Sequence, residues 1–343
     1  RDQPRSRGLG DVYKRQIKRC VDSLRGQTLQ NIEIILVDDG SKDNSGCLCD
    51  EFAQQDSKIH VIHKQNAGQG LARNDGLNIA KGHYVLFIDS DDFIEPDTCE
   101  KLSDRMEREQ ADLCSFGYQI ETPQGELFYR AQLKEQCYEN EALRKRFVLH
   151  FFGDSADDEE MRGVSACMTM FRRSVIETGK IRFRSEREYF SEDTIFNLDF
   201  CLLAKKAVID SGCYYHYCQN EASFSHAYRP DRFHLTEVLA NVLKEYAGRY
   251  GIEKETQERI RRMVWVSLME CVKQEVRRIG EVPRKTVKKQ IESYCDSELV
   301  KDAVNGLDAG KFGTAQRIFL WAVKGQRTEA VILLAWLRNR KGL

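Results

Sequence analysis

The chain has 343 residues, 41% hydrophobic and 31% charged, with Lys+Arg 53 against Asp+Glu 54 and a net charge of −1. That balance excludes a strongly basic nucleic-acid binder, and five prolines without a low-complexity tract exclude a disordered chain. The length suits about two domains, and twelve scattered cysteines with no CxxC pair read as buried free thiols of a reducing compartment, not as a disulfide scaffold or a zinc site.

Residues 1–16 (RDQPRSRGLGDVYKRQ) contain no apolar run for a signal peptide and neither helical nor strand periodicity, so a non-native leader or a disordered tail is expected there. An amphipathic helix is expected over 17–30, then a buried strand over Ile32–Val37 that ends in Asp38-Asp39-Gly40-Ser41. A helix over 45–55, capped by Ser41 or Asn44, leads to a short strand Ile59–His63. The glycine-bearing loop Asn66–Gly70 opens a helix over 70–80, and a strand Tyr84–Ile88 closes on Asp89-Ser90-Asp91-Asp92. Strands alternating with helices at this spacing argue for βαβ units and a parallel sheet.

Beyond Pro96 the pattern predicts a helix over 97–109, extended chain over 111–119, a helix over 139–149 and a strand Ala166–Phe171. A helix Asp193–Ala204 and strands Ala207–Ile209 and Cys213–Cys218 follow. From Phe233 only helices are expected, over 233–249, 255–279, 284–304 and 312–340, with Gly251, Gly280 and Gly306 as stops. A boundary in the polar stretch around Pro230 divides a domain 17–228 from a helical region 229–343. The apolar run Ala330–Leu337 falls far short of the roughly 20 residues of a transmembrane helix.

Two acidic clusters each follow a buried strand, and ligands of open α/β sheets bind beyond the carboxyl ends of strands. Asp38 and Asp39 are therefore expected at the same sheet edge as Asp89, Asp91 and Asp92. Converging carboxylates repel unless a divalent cation sits among them, and an all-oxygen set suits Mg²⁺ or Mn²⁺. The competing reading is a pair of solvated acidic turns that cap helices.

Taken in order, Val37-Asp38-Asp39-Gly40-Ser41, Asn66-Ala67-Gly68 with Leu71-Ala72-Arg73-Asn74, Asp89-Ser90-Asp91-Asp92 and Ser191-Glu192-Asp193 resemble the family 2 glycosyltransferases of the GT-A fold. The resemblance covers about residues 17–226 and is specific in combination, whereas Asp-x-Asp alone would be weak. It implies an α/β fold, a Rossmann-like mixed sheet flanked by helices, followed here by a C-terminal helical region. It implies a nucleotide-sugar donor, a UDP-sugar by expectation, and a glycan or lipid-linked acceptor in cell-surface polysaccharide synthesis.

The resemblance also implies roles residue by residue. Asp39 would meet the nucleobase, and Asp38, Gly68, Arg73, Asp89 and Asp92 would line the donor side. Asp91, with Asp89 and His226, would hold a divalent cation, Mn²⁺ or Mg²⁺, against the diphosphate. Asp193 would be the general base of an inverting transfer, with Glu192 beside it on the acceptor side as the competing candidate. Asp193 opens an amphipathic helix, and its carboxylate is expected at the edge of a cleft. Cys167 stands near where relatives carry Trp. Relatives begin with a strand of the type Ser-Val-Ile-Ile-Pro-x-Tyr-Asn, for which Val12-Tyr13 is too short, so the chain reads as lacking that strand. A sugar-nucleotide nucleotidyltransferase and a non-catalytic nucleotide-sugar-binding scaffold are the alternatives. The first would want a Gly-rich basic loop after a first strand, and the second the loss of Asp91 or Asp193.

Segment 311–343 places Lys311, Arg317, Lys324, Arg327, Arg338, Arg340 and Lys341 among Ile318, Trp321, Leu333, Trp336 and Leu337, with Glu329 as its sole acid. Such a pattern suits either a membrane interface or packing on the rest of the chain. A cytoplasmic location, peripheral at the inner face of the cell membrane, is the matching expectation. These motifs encode neither the sugar nor the linkage nor the oligomeric state.

Overall fold

The computed structural model describes residues 4–155, 164–189, 191–219 and 228–340. Helix α1 runs Pro4–Arg25 and so begins well before Ile17. Its glycines Gly8 and Gly10 and the missing apolar period hid it, while a proline in the first turn costs no hydrogen bond. The β-branched run becomes β1 (Ile34–Asp38), followed by α2 (Ser45–Gln55) and β2 (Ile59–His63). Strands β1 and β2 pair in parallel, with Asp38 opposite His63 at their carboxyl ends. Val21, Ile34, Phe52 and Ile59 form their core, into which α1 and α2 turn their apolar sides.

Helix α3 (Gln69–Ile79) leads to β3 (Tyr84–Leu86), β4 (Phe93–Ile94) and α4 (Thr98–Glu109). After these come β5 (Leu113–Glu121), β6 (Leu127–Ala131), β7 (Gln136–Glu139), α5 (Asn140–Lys145), β8 (Thr169–Arg172), α6 (Arg173–Gly179), α7 (Glu192–Leu203) and β9 (Lys206–Cys218). A seven-stranded sheet runs β3-β8-β5-β9-β4, with β6 on β5 and β7 on β9. Only β5 and β9 pair in parallel within it, so the wholly parallel sheet suggested by the early alternation gives way to a mixed one. Ala166–Met168, expected as strand, is a short 3-10 turn before β8.

The chain divides into two compact units, the first drawn from Arg1–Phe151 and Glu160–Ser225, the second from Phe152–Glu159 and His226–Leu343. The second unit holds α8 (Arg232–Tyr250), α9 (Glu253–Arg277), α10 (Arg284–Asp296), α11 (Glu298–Gly306), α12 (Thr314–Lys324) and α13 (Thr328–Arg340). The helix expected over 284–304 breaks at Ser297, whose hydroxyl caps α11 by accepting from Val300 N. The one over 312–340 breaks at Gly325 and Gln326, the latter with φ of +51°. All twelve cysteines are free, most of them buried. Among the described residues no helix is long and apolar enough to cross a membrane.

Candidate active site

The site is built at the carboxyl ends of β1 and β3, which belong to two separate sheets and not to the one sheet edge expected, and at the start of α7, all within the first unit. Asp38 closes β1: its Oδ1 accepts from Ser41 N at 2.9 Å and its Oδ2 faces His63 Nδ1 at 3.0 Å. Partial burial works to raise its pKa, but the bonds from Ser41 and His63 outweigh it and hold the carboxyl below its ordinary value. His63 Nε2 faces Asp50 at 3.0 Å, and the two carboxylates raise the imidazole pKa. Asp39 turns the other way. It accepts from Ala67 N at 2.9 Å and Gly68 N at 2.7 Å, and so shapes the 66–68 loop. Gly68 has φ of +101°, and a Cβ there would meet the Glu186 carboxylate at 1.9 Å, so the loop requires glycine.

The loop delivers α3, whose Arg73 and Asn74 organise the rest. Asn74 exchanges two hydrogen bonds with the backbone of Phe183, each 2.8 Å, and pins the segment that leads toward α7. Arg73 lies over the Phe183 ring at 5.2 Å and is only 9% exposed. Its guanidinium reaches Asp89 at 2.9 Å, Glu192 at 3.2 Å and Asp193 at 2.5 Å. Burial opposes its charge, but the Asp193, Asp89 and Glu192 carboxylates more than compensate and raise its pKa. Residues 16 to 120 positions away in sequence thus meet on one side chain.

Asp193 is more enclosed than a cleft-edge position implies, at 14% side-chain exposure. Its Oδ2 accepts from Ser165 Oγ at 2.9 Å and Ala166 N at 3.2 Å, and its Oδ1 accepts from Arg73. Burial raises its pKa against the lowering pull of Arg73. Glu192 is pushed up to about 7, by burial first and then by the Asp193 charge beside it. The two titrate as a pair. Ser191, with φ of +67°, makes the sharp entry that puts both carboxylates in the first turn of α7, where the helix dipole favours them. Cys167 is buried, its sulfur 3.7 Å from Arg73 Nη2.

The turn after β3 sorts its three aspartates. Asp89 faces the Arg73 hub and also accepts from Gln69 Nε2 at 2.9 Å. Asp91 is half-buried, its backbone carbonyl held by Arg19 Nη2 at 2.8 Å. Asp92, expected on the donor side, turns into the core instead, at 1% exposure. There it accepts from Tyr215 Oη at 2.6 Å and Cys218 N at 2.8 Å, and burial pushes its pKa up to about 7. It is an anchor for the turn, not a ligand-facing group. His226 lies outside the described residues.

Among the described residues no group of three or more His, Cys, Asp or Glu could hold a metal alone. The oxygen donors of Asp91 and Asp89 fit a different arrangement, in which one or two carboxylates share a cation with substrate phosphates. A polar cavity walled by Arg105, Glu135, Asp210 and Tyr214 lies elsewhere in this unit and shares none of these residues.

Residues 12–179 match the family described as Glycosyl transferase family 2. The chain is 34% identical over 235 residues to the glycosyltransferase EpsH of Bacillus subtilis, covering 67% of this chain and 65% of EpsH. It is 32% identical over 257 residues to glycosyltransferase GlyA of Streptococcus pneumoniae, covering 74% of this chain and 36% of GlyA. It thus spans less than two thirds of either relative. Among solved structures, S. aureus TarS 1-349 in complex with UDP-GlcNAc superposes with a TM-score of 0.62 at 18% identity, over 96% of this chain and 89% of that one. The matched domain holds both acidic strand ends and the Arg73 helix, and the fold likeness extends to the mixed sheet: residues 12–179 are a glycosyl transferase family 2 domain, in a chain with the GT-A fold.

Proposed function

We propose that the chain transfers a sugar from a nucleotide-sugar, of the UDP-sugar class, to a hydroxyl of a glycan or lipid-linked acceptor in cell-surface polysaccharide synthesis, with inversion at the anomeric carbon. The observation that carries this reading is the Arg73 hub, which joins the Asp-x-Asp turn to the Glu192-Asp193 pair. The names of the relatives and the UDP-GlcNAc held by TarS support the donor class.

In this reading Asp39 and the 66–68 loop wall the nucleoside, and the diphosphate lies toward Asp89 and Asp91. Enzymes of the family generally use divalent cations. Asp91, aided by Asp89, would hold Mn²⁺ or Mg²⁺, which would offset charge on a departing diphosphate. Asp193 takes the proton. Its Oδ2 is filled by Ser165 and Ala166, whereas Oδ1 accepts from Arg73 and keeps a second lone pair. The acceptor oxygen attacks the anomeric carbon opposite the leaving group. The bond from that carbon to the diphosphate oxygen breaks, its electron pair leaves with the nucleoside diphosphate, and the hydroxyl proton moves to Asp193.

Pairing nucleotide affinity with transfer rate in Asp193→Asn and Glu192→Gln tests the assignment. Asp193→Asn should lower transfer by on the order of 10² or more while nucleotide affinity survives. Glu192 is the second reading, favoured by its pKa near 7. Loss of transfer in Glu192→Gln with retention in Asp193→Asn would hand it the role.

A further inference from the structure

Helices α12 and α13 each turn one face onto the core of the second unit and leave another in solvent. Leu320, Ala322 and Val323 are buried on α12, and Val331, Ile332 and Ala335 on α13. Phe319 packs against Trp265, ring centroids 5.5 Å apart. Outward, Ile318 and Trp321 are 45% and 55% exposed, and Leu333, Trp336 and Leu337 are 55%, 40% and 44% exposed. Spacings of three and four residues put each set on one side of its helix. Large apolar side chains gathered on a surface mark a docking face.

The charges interleaved with them indicate the partner. Arg317, Lys324, Arg327 and Arg338 are exposed. Arg327 lies over the Trp321 ring at 3.6 Å, and Arg338 Nη1 reaches the Met269 sulfur. Among the described residues no carboxylate pairs with any of these four cations, whereas Arg261, Arg278 and Arg284 of the same unit each have one. Glu329, the sole acid of the two helices, is held by Arg284 and Lys288. A second copy docking through this face would set cations against cations, because a two-fold interface brings the same patch to itself. An anionic lipid surface supplies the missing charge and a place for the aromatic rings.

We propose that the outward faces of α12 and α13 dock on an anionic lipid bilayer. Trp321, Leu333, Trp336 and Leu337 enter the boundary between headgroups and acyl chains, and the four cations meet lipid phosphates. The docking is interfacial, since neither helix can span the membrane.

The chain carries its own reporter. Of its three tryptophans, Trp265 is 1% exposed, so an emission change reports on Trp321 and Trp336. The full chain, mixed at low salt with phosphatidylglycerol–phosphatidylcholine vesicles, should co-sediment and shift its emission to the blue. High salt or pure phosphatidylcholine should remove most of both effects. The triple variant Arg317→Gln, Lys324→Gln, Arg327→Gln should bind on the order of 10²-fold more weakly. Trp321→Ala with Trp336→Ala should co-sediment much less with the anionic vesicles while circular dichroism shows an unchanged helix content, and undiminished sedimentation would overturn the proposal. Anionic vesicles that leave emission and sedimentation unaltered, or equal binding to neutral vesicles, would overturn the proposal. So would a blue shift without lipid that grows with protein concentration alongside a dimer, which would assign the face to a second copy.

Discussion

Arg73→Gln removes one charge from the centre of the site and should expose how the site is balanced. Arg73 is 9% exposed and reaches Asp89, Glu192 and Asp193 at 2.9, 3.2 and 2.5 Å. Breaking a buried ion pair from one side costs about 3–5 kcal/mol, because the other charge stays buried and uncompensated. The carboxylates can escape part of that cost by taking up protons. The guanidinium lowers the pKa of both Glu192 and Asp193, so in the variant both rise above values that burial has already raised. A carboxyl raised in the folded state binds more protons there than in the unfolded chain. Stability is therefore fullest below the ordinary carboxyl range and falls as pH rises toward the folded value.

The deficit of Arg73→Gln should thus be near its full size at about pH 8 and much smaller at about pH 5. For a unit of this size about 1 kcal/mol moves the midpoint by about 2–4 °C, so a drop of roughly 6–20 °C is expected at the higher pH. Thermal unfolding followed by near-UV circular dichroism at both pH values measures it. A loss under about 1 kcal/mol, or one equal at both pH values, would refute the reasoning. Arg73→Lys keeps the charge but not the planar fork and should fall between the two.

Gly68→Ala forces a side chain into φ of +101° beside Glu186 and should cost roughly 1–3 kcal/mol of loop strain, seen as weaker nucleotide binding in a titration. Unchanged affinity would remove the 66–68 loop from the donor site. Burial raises the pKa of Asp193, so the transfer rate should fall toward acid pH as the base takes up its proton, and Glu192→Gln, which removes the neighbouring charge, should move that acid limb lower. A limb that stays put belongs to another group. Excess chelator and Asp91→Ala should both abolish transfer with the fold intact, and undiminished turnover in chelator would rule out the cation. Asp92→Ala should instead lower the unfolding midpoint, because Tyr215 and Cys218 lose a buried partner at a cost of about 1–3 kcal/mol.

Local signals were enough where the chemistry is local. Strand β2 coincides with the β-branched run Ile59–His63, and α2 with the helix expected over 45–55. Strand β6 escaped because Leu127–Arg130 are all exposed, so no apolar alternation marks them, and its pairing with β5 is a tertiary fact. Strand β9 read as two pieces because Asp210-Ser211-Gly212 looks like a turn, whereas β5 absorbs the irregularity as register shifts around Gly117. In the Asp89-Ser90-Asp91-Asp92 turn no local signal shows that Asp92 is the one to be buried, because its partners Tyr215 and Cys218 lie far along the chain. Nothing local shows that Arg73 touches Glu192 and Asp193, or that Ser165 bonds to Asp193, because those partners lie far apart in the chain. His63, wedged between Asp38 and Asp50, was missed for the same reason, although its place at the end of β2 was legible.

The enclosure of Asp193 is compatible with a base, and the physical reason lies in two opposing effects on one carboxyl. Burial alone would raise its pKa until it stayed protonated at neutral pH and could accept nothing. An exposed Asp beside an arginine would have its pKa lowered and would be a weak base. Here burial raises and Arg73 lowers, with the net shift upward, which moves the group toward the range where a base is both ionised and effective. Glu192 shares the same cation and is raised to about 7, so the two carboxyls titrate as a pair around one guanidinium. Ser165 and Ala166 then fix Oδ2, so the lone pair left on Oδ1 has a set direction. The same guanidinium also holds Asp89 of the Asp-x-Asp turn. On the proposed assignment, a donor that changes the charge at that turn would change the field at Asp193, and coupling of donor binding to the proposed base would need no moving part beyond Arg73.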